Sequence, residues 1–447
     1  MIKTVNPYSQ EPISSYKYIT ESELNNTLEK VQQSYTHWKT TTIKSRQGYA
    51  NSLQKIILEQ KNQLATLISL EMGKPISEAI REINKCILLI HYVTDCTSLF
   101  LESTKLDDNA YIEYQPTGTV FGIMPWNFPF WQVFRFAFSN MMLGNTCVLK
   151  HAPNVTGCAL RLESLFIEAG FPENVFKTLV IDIPQVETVI AHNAIQGVCI
   201  TGSTKAGSAV GALAGKYLKK SVLELGGTDA FIVLQNASIK EALNTAFDAR
   251  MGNAGQVCIA PKRIYVPQEI LEYCIAFFKD KIDALVLGNP LDEKTTMGPI
   301  TKASFLPILE QQVKSCIHYG AQLIVGGKSI APFFEPTLLV VQADNPLLKE
   351  EIFGPVISLI PYDNEEILIQ NVNDSPYGLG ASLWSQDIEK AQEMASKIET
   401  GNVTINQRMS SDIKYPFGGI KKSGYGKELG IEGYRTFLNA KTVVTAS

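Results

Sequence analysis

The chain has few of the residues that hold metals or build covalent frameworks. Its 447 residues include only 5 histidines and 8 cysteines, with no C-x-x-C pair and no two histidines at the i, i+4 spacing of a zinc helix. Scattered cysteines in a chain of this length are typical of a reducing compartment. We therefore expect no metal site, no disulfide framework and a cytoplasmic location.

Long apolar runs and an excess of one charge are missing as well. The N-terminus lacks the apolar core of a secretory signal, and no apolar stretch approaches the ~20 residues that span a bilayer. Lysine and arginine number 40 against 44 acidic residues, and no basic block occurs. Neither a membrane nor a nucleic acid is therefore expected as a partner.

Apolar residues are plentiful, at 45%, and the length favours two or three lobes. Helical spacings run from residue 20 to about 104. Short apolar runs that alternate with helices then predict parallel strands at 120–124, 146–150, 175–180 and 197–201, and a second set at 230–234, 262–266, 322–325, 337–340, 356–362 and 381–385. We predict two α/β lobes that meet near Gly226 and Gly227.

Cys258 differs from the other cysteines in its approach sequence. It follows the polar, glycine-containing segment 253–257, which can place a backbone N–H beside the sulfur and stabilise a thiolate or an oxyanion. The other seven cysteines lie in apolar or helical patterns typical of small buried side chains. Cys258 is the candidate nucleophile.

Three further segments could serve such chemistry, each with a plainer alternative. Glu224 ends an apolar strand before two glycines, where burial would raise its pKa toward that of a general base, unless it is hydrogen-bonded locally. Asn127, between Pro125 and Pro129, could donate to an oxyanion or simply cap a loop. Residues 201–207 open a helix that could bind a pyrophosphate, although they do not match G-x-G-x-x-G and a plain helix cap is the alternative.

Together these segments resemble the aldehyde dehydrogenase superfamily, in particular its NAD(P)-dependent, non-phosphorylating members. The resemblance covers nearly the whole chain, and the order and spacing of the motifs are highly specific. The matching segments are 6–7, 71–75, 125–129, 202–204, 223–227, 253–258, 351–355 and 416–424.

The resemblance implies a domain plan of two Rossmann-like α/β lobes and a small β element for oligomerisation. The cofactor-binding domain would comprise residues 1–97 and 116–226, the catalytic domain 227–430, and the oligomerisation strands 98–115 and 431–447. Segments 111–115 and 439–444 read as strands with open edges, which family members pair across subunits. A homodimer or homotetramer is therefore expected.

The resemblance also implies a mechanism. Cys258 attacks the aldehyde carbon, the Asn127 amide and the Cys258 N–H hold the oxyanion, hydride leaves for NAD or NADP, and Glu224 activates the water that hydrolyses the thioester. The matching cofactor-binding residues are Met124, Pro125, Trp126, Lys150, Gly202, Ser203, Leu225, Glu351 and Phe353.

Two departures from the family pattern leave both NAD and NADP admissible. The family's usual Glu three residues after Lys150, which discriminates against a 2′-phosphate, is replaced by Pro153. The stretch 180–183 lacks the glycines that many members carry near the adenine.

Arg135 indicates the substrate. It occupies the place of an arginine with which succinate-semialdehyde dehydrogenases bind the distal carboxylate, and Ser411 could add a hydrogen bond; an ion-paired helix residue is the alternative. A second arginine of the better-known members is replaced by Gly252. Three nearby cations could substitute for it: Arg250, Lys262 and Arg263.

Three other functions stay open. A CoA-acylating semialdehyde dehydrogenase typically lacks the general base, so Glu224 argues against it. A broad-specificity aldehyde dehydrogenase would not need Arg135. A non-catalytic protein on the same scaffold would be expected to have lost Cys258 or Glu224.

Overall fold

Helices and strands alternate along most of residues 1–446, the part of the chain that the computed structural model describes. The α-helices are α1 (Glu21–Trp38), α2 (Ile43–Glu59), α3 (Lys61–Met72), α4 (Ile76–Leu101), α5 (Trp131–Met142), α6 (Thr156–Glu168), α7 (Gln185–Ala191), α8 (Thr204–Lys216), α9 (Ile239–Met251), α10 (Leu271–Asp283), α11 (Leu306–His318), α12 (Glu365–Asn373), α13 (Ile388–Lys397) and α14 (Gly430–Tyr434).

The strands are β1 (Ile2–Val5), β2 (Pro12–Tyr16), β3 (Thr104–Lys105), β4 (Ala110–Pro116), β5 (Thr119–Met124), β6 (Thr146–His151), β7 (Phe176–Thr178), β8 (Ile195–Thr201), β9 (Lys220–Glu224), β10 (Ala230–Val233), β11 (Arg263–Pro267), β12 (Gln322–Val325), β13 (Ser329–Ile330), β14 (Phe333–Phe334), β15 (Thr337–Val340), β16 (Val356–Tyr362), β17 (Tyr377–Gly378), β18 (Ala381–Trp384), β19 (Val403–Ile405), β20 (Ile420–Lys421), β21 (Gly424–Tyr425) and β22 (Leu438–Val444).

The first lobe is built on a six-stranded sheet with the order β21-β9-β8-β5-β6-β7. The five strands from β5 to β9 pair in parallel, and β21 adds antiparallel to the outer edge of β9. Because parallel strands all end at the same edge of a sheet, the residues after β5, β6, β8 and β9 lie together. This edge carries Asn127, Lys150, Gly202 and Glu224.

The second lobe has a seven-stranded sheet with the order β12-β15-β16-β11-β10-β18-β19. All pairs are parallel except β12 with β15. The segments before β11 and β16 contain Cys258 and Glu351, and the chain enters β10 directly from Glu224 through two glycines. The amino ends of these strands therefore meet the carboxyl ends of the first sheet, and the prediction of two α/β lobes is confirmed.

Helix α5 is the innermost helix near this junction. All twelve of its residues are buried, and it packs against α4, β5 and β6. The ring of Phe136 lies so close to β5 that a Cβ at Gly122 would be 2.1 Å from it, so glycine is required there. Arg135 is the single charged residue of α5, which means that its charge needs a partner inside the protein.

A three-stranded sheet with the order β22-β4-β3 stands apart from the two lobes. β22 pairs antiparallel with the whole length of β4, from Leu438 opposite Pro116 to Val444 opposite Ala110. The expectation that 111–115 offers an open edge is wrong for one side of β4, which β22 fills, and for Tyr111 and Ile112 on the other side, where β3 pairs. Residues 113–115 keep an open edge on the side of β3, and β22 keeps its outer edge free.

Residues 1–446 contain neither a helix that could span a membrane nor a cluster of side chains that could hold a metal ion. No helix in that range is both long and apolar enough to cross a membrane. No group of three or more His, Cys, Asp or Glu side chains there is arranged to hold a metal ion.

Candidate active site

Cys258 follows a loop with an unusual backbone. Asn253, Ala254 and Gly255 have φ angles of 55°, 51° and 70°, in the left-handed region that favours glycine. A Cβ at Gly255 would lie 2.1 Å from the carbonyl oxygen of Gly354, so only glycine fits the approach of the two segments. Strained backbone of this kind is common at functional sites. Here it brings the loop of Cys258 into contact with segment 351–355.

Two asparagine side chains hold the carbonyl oxygen of Gln256, two residues before the cysteine. Nδ2 of Asn127 donates to it at 3.0 Å and Nδ2 of Asn253 at 3.3 Å, while Asn253 also donates to the carbonyl of Asn127 at 3.0 Å. The structure thus brings Asn127 to the loop of Cys258. Because a side-chain amide has two N–H donors, Asn127 keeps one for a further acceptor.

Lys262 donates hydrogen bonds to the loop that carries Cys258. Its Nζ donates to the carbonyl oxygens of Val257, at 2.8 Å, and of Cys258, and lies 3.3 Å from Oε1 of Glu351. All three protons of the ammonium group therefore have acceptors. This role of Lys262 was not predicted from the sequence. The one feature that could have indicated it is a lysine at the start of an apolar strand.

Arg250 and Arg263, the other two cations named as replacements for the missing arginine, also have hydrogen-bond partners. Arg250 donates to the carbonyl oxygens of Gly255, Ile352 and Val356, at 2.6–3.2 Å. Arg263 donates to three further backbone carbonyls, those of Thr228, Asn371 and Val372. The suggestion that Arg250, Lys262 or Arg263 takes over the role lost at Gly252 is therefore wrong, since each one holds backbone in place.

Glu224 is a buried carboxyl group with an exposed fraction of 2%. Neither of its side-chain oxygens has a hydrogen-bond partner within residues 1–446. Burial raises the pKa of Glu224 well above its usual value, although the nearby charge of Arg135 opposes the shift. A buried, unpartnered carboxyl group of raised pKa is suited to proton transfer near neutral pH.

Arg135 is paired with an internal carboxylate that the sequence analysis missed. Nε of Arg135 lies 2.5 Å from Oε2 of Glu428, with side-chain exposures of 2% and 6%, and its Nη2 donates to Oγ1 of Thr201 at 3.3 Å. Burial would lower the pKa of Arg135, but the charges of Glu428, Glu224 and Cys258 outweigh it and raise that pKa. The guanidinium therefore acts electrostatically on both candidate catalytic groups.

Ser411 lies in a loop and contacts Trp131, which is one helical turn from Arg135 on α5. The indole Nε1 of Trp131 donates to Oγ of Ser411 at 3.2 Å, and Nζ of Lys85 donates to the same oxygen at 2.8 Å. Ser411 is only 5% exposed, so it is not a solvated loop serine. Lys85 was missed, because a lysine in an amphipathic helix gives no functional signal.

The predicted nicotinamide-side residues lie where the two sheets meet. Met124 ends β5, and Pro125 and Trp126 follow it. The rings of Trp126 and Phe353 meet edge to face, with centroids 5.8 Å apart. This contact joins the first lobe to the segment that precedes β16.

Glu351 reaches across the same junction. Its Oε1 accepts a hydrogen bond from the N–H of Gly227 at 3.2 Å, and a Cβ at Gly226 would lie 2.4 Å from its Oε2. The two glycines that mark the end of β9 are therefore needed for the approach of this carboxylate.

The remaining predicted cofactor residues lie at the carboxyl edge of the first sheet. Ser203 caps α8, and the side chain of Leu225 covers Gly207 so closely that a Cβ there would lie 2.3 Å away. Beside them the N–H of Gly202 donates to the carbonyl of Glu224 at 3.0 Å. The half-buried Lys150 has no carboxylate within ion-pair distance in residues 1–446, and burial lowers its pKa. An ammonium without a paired carboxylate and a helix N-terminus at the same edge of the sheet suit the ribose and phosphates of a dinucleotide.

The Aldehyde dehydrogenase family model matches residues 1–443, and the chain belongs to that family. A succinate-semialdehyde dehydrogenase for NADP(+) from Deinococcus radiodurans is 37% identical over 98% of this chain and 94% of its own. One for NAD(P)+ from Escherichia coli (strain K12) is 37% identical over 98% and 97%. The Streptococcus pyogenes succinic semialdehyde dehydrogenase, solved with NADP+, is 35% identical and superimposes with a TM-score of 0.97 over 100% of both chains.

The family and these relatives define the class of this protein. It is an NAD(P)-dependent aldehyde dehydrogenase, and the predictions of family, fold class and cofactor are confirmed. When bound, NAD(P)+ supplies the hydride acceptor. The roles of the individual site residues stay predictions.

The state of the Cys258 thiol gives the first test. Burial raises its pKa to about 11, although Lys262 and Arg135 oppose the shift. Since only the thiolate reacts, the rate of alkylation by iodoacetamide in cofactor-free protein should rise about tenfold per pH unit from pH 7 to pH 9. The rate is measured by mass spectrometry of the Cys258 peptide, with Cys258→Ala protein to account for the other thiols. A plateau below pH 9 would show that the thiol ionises at much lower pH.

Proposed function

We propose that this chain oxidises succinate semialdehyde to succinate. The observation that carries the proposal is Arg135, a buried cation on α5 whose charge acts on both Cys258 and Glu224. Its Nε and Nη2 are engaged by Glu428 and Thr201, but Nη1 makes no hydrogen bond within residues 1–446. An arginine with free donors beside the nucleophile is suited to a substrate that carries a second, anionic end. The names of the similar relatives support the same substrate.

The residues act in two half-reactions in this proposal. Cys258 loses its thiol proton to solvent, Sγ of the thiolate bonds to the aldehyde carbon, and the free N–H of Asn127 with the backbone N–H of Cys258 donates to the oxygen that becomes negative. Once the hydride has left, a thioester remains on Cys258. Glu224 then takes a proton from water, which attacks the thioester and releases the carboxylate.

A broad-specificity aldehyde dehydrogenase is the second candidate. The ion pair with Glu428 favours it, because an arginine that already has a buried partner could serve the fold alone. The two candidate functions predict different activities toward a neutral aldehyde of equal length. Succinate semialdehyde and butanal, each assayed with NAD and with NADP by absorbance at 340 nm, separate them.

The role of Glu224 is tested by the variant Glu224→Gln. It keeps the thiol but removes the base, so hydrolysis of the thioester should become rate-limiting. Stopped-flow absorbance should show a burst of NAD(P)H of up to one equivalent per active site, followed by slow turnover. Unchanged steady-state turnover without a burst would assign the base to another residue.

The role of Arg135 needs a variant pair, because its removal alone leaves Glu428 buried and unpaired, at a cost of ~3–5 kcal/mol. We compare Glu428→Gln with Arg135→Met/Glu428→Gln. The double variant should lose about 30-fold or more in kcat/KM for succinate semialdehyde relative to the single one, as a lost charge contact worth ~2 kcal/mol or more predicts. Butanal should change much less. Equal losses for both aldehydes would mean that Arg135 serves the fold and not the substrate.

We also propose that the chain is a homodimer or a dimer of dimers, joined through the free edge of β22. This edge presents unpaired backbone N–H and C=O groups on a strand whose other side is filled by β4. Light scattering at micromolar concentration should therefore give two or four times the mass of one chain. The mass of a single chain would contradict the proposal.

A further inference from the structure

Lys85 lies half-buried in a small polar site between α4, α5 and the loop that carries Ser411. Its Nζ donates to Ser411 at 2.8 Å and stands 4.1 Å from the centroid of the Trp131 ring. Within residues 1–446 no carboxylate lies within ion-pair distance of this ammonium. Since an ammonium group has three protons and Ser411 accepts one, Lys85 retains donors for an anion.

The surroundings of Lys85 are short of negative charge. Burial, then repulsion by Arg135, lowers the pKa of Lys85 to about 7; Arg408 adds to the shift, and Cys86 and Asp412 oppose it. Arg135 is already paired with Glu428 and Arg408 is exposed, so Lys85 is the cation of this half-buried site that lacks a paired carboxylate within residues 1–446. A bound anion would favour the charged form of Lys85.

The hydroxyl of Ser411 has an unused proton that points to the same conclusion. Its oxygen accepts from Trp131 and from Lys85, which are both donors, so its own O–H remains free to donate. Lys85, Ser411 and Nη1 of Arg135 could therefore all donate to one carboxylate group. Trp131, which contacts both Ser411 and Lys85, lies one turn from Arg135 on the same face of α5.

Helix α4 also passes the position of the missing arginine. A Cβ at Gly252 would be 3.9 Å from Oε1 of Glu78, and the N–H of Asn253 donates to Oε2 of Glu78 at 2.9 Å. Lys85 stands two turns further along α4 on the same face, at a distance of ~10 Å along the helix axis. Gly252 occupies the position of the missing arginine. Lys85 on α4 is therefore a cation in the same region of the structure.

We propose that Lys85, with Ser411, binds the distal carboxylate of the semialdehyde substrate and supplies the positive charge that is absent at Gly252. This inference rests on the proposed function. The lysine acts as a point charge that attracts the anion, while Arg135 and Ser411 add directed hydrogen bonds.

The test compares Lys85→Met, which keeps the length of the side chain without its charge, with Lys85→Arg, which keeps the charge. For Lys85→Met we expect KM for succinate semialdehyde to rise about tenfold or more, with kcat within about twofold of the unmodified protein. Values for butanal should change by less than about twofold. Lys85→Arg should keep most of the affinity. Lys55→Met, which removes an exposed lysine of α2, is the matched control.

Product inhibition by succinate provides a second measurement that does not depend on turnover of the aldehyde. Its inhibition constant should rise in Lys85→Met in parallel with KM, and Ser411→Ala should show a smaller rise for succinate and succinate semialdehyde only. If Lys85→Met fails to fold, the Ser411→Ala result and the retained affinity of Lys85→Arg decide the question.

The outcomes separate the two proposals. If the unmodified protein shows no preference for succinate semialdehyde over butanal, the proposed function fails. If that preference exists but Lys85→Met leaves KM and succinate inhibition unchanged, or weakens both aldehydes equally, the assignment of Lys85 is overturned while the proposed function stands.

Discussion

The ion pair between Arg135 and Glu428 is the interaction on which the active site depends. Both side chains are buried, and removal of either one would leave an unpaired charge in the interior. Arg135 is also the one charged residue of the fully buried α5, so the pair fixes where that helix places its polar face. The same guanidinium opposes the rise in the pKa of Glu224 and of Cys258. One buried cation, paired with Glu428, therefore acts on the pKa of both candidate catalytic groups.

A second constraint is the close contact between the nucleophile loop and segment 351–355. Gly255 has no room for a side chain against Gly354, and Lys262 joins the carbonyl of Cys258 to Glu351. The cysteine and the carboxylate predicted to hold the nicotinamide ribose are thus parts of one rigid unit. A change in either segment would move the other, which explains why residues with no chemical role, such as Arg250, are fully buried beneath them.

Local signals were sufficient for most strands and for the candidate catalytic residues. The predicted strands 120–124, 146–150 and 230–234 lie within one residue of β5, β6 and β10, because strands buried on both faces are continuous apolar runs. Cys258, Glu224 and Asn127 were found through motifs that surround each residue in the sequence. The partner of Arg135 could not be found in this way, since Glu428 is remote in the chain and a side-chain contact leaves no periodic pattern. The pairing of β4 with β22 was missed for the same reason.

In the proposed function, the choice of substrate depends on the positions of the cations near Cys258. The resemblance leads us to expect an arginine at position 252, where the chain has Gly252. Lys85 on α4 provides another cation beside Ser411. The most direct test is a crystal structure of the Cys258→Ala protein with NADP+ and succinate semialdehyde. The account predicts the substrate carboxylate within hydrogen-bond distance of Arg135, Ser411 and Lys85, with Arg135 still paired to Glu428. A carboxylate that points to solvent, or that contacts none of these three side chains, would contradict it.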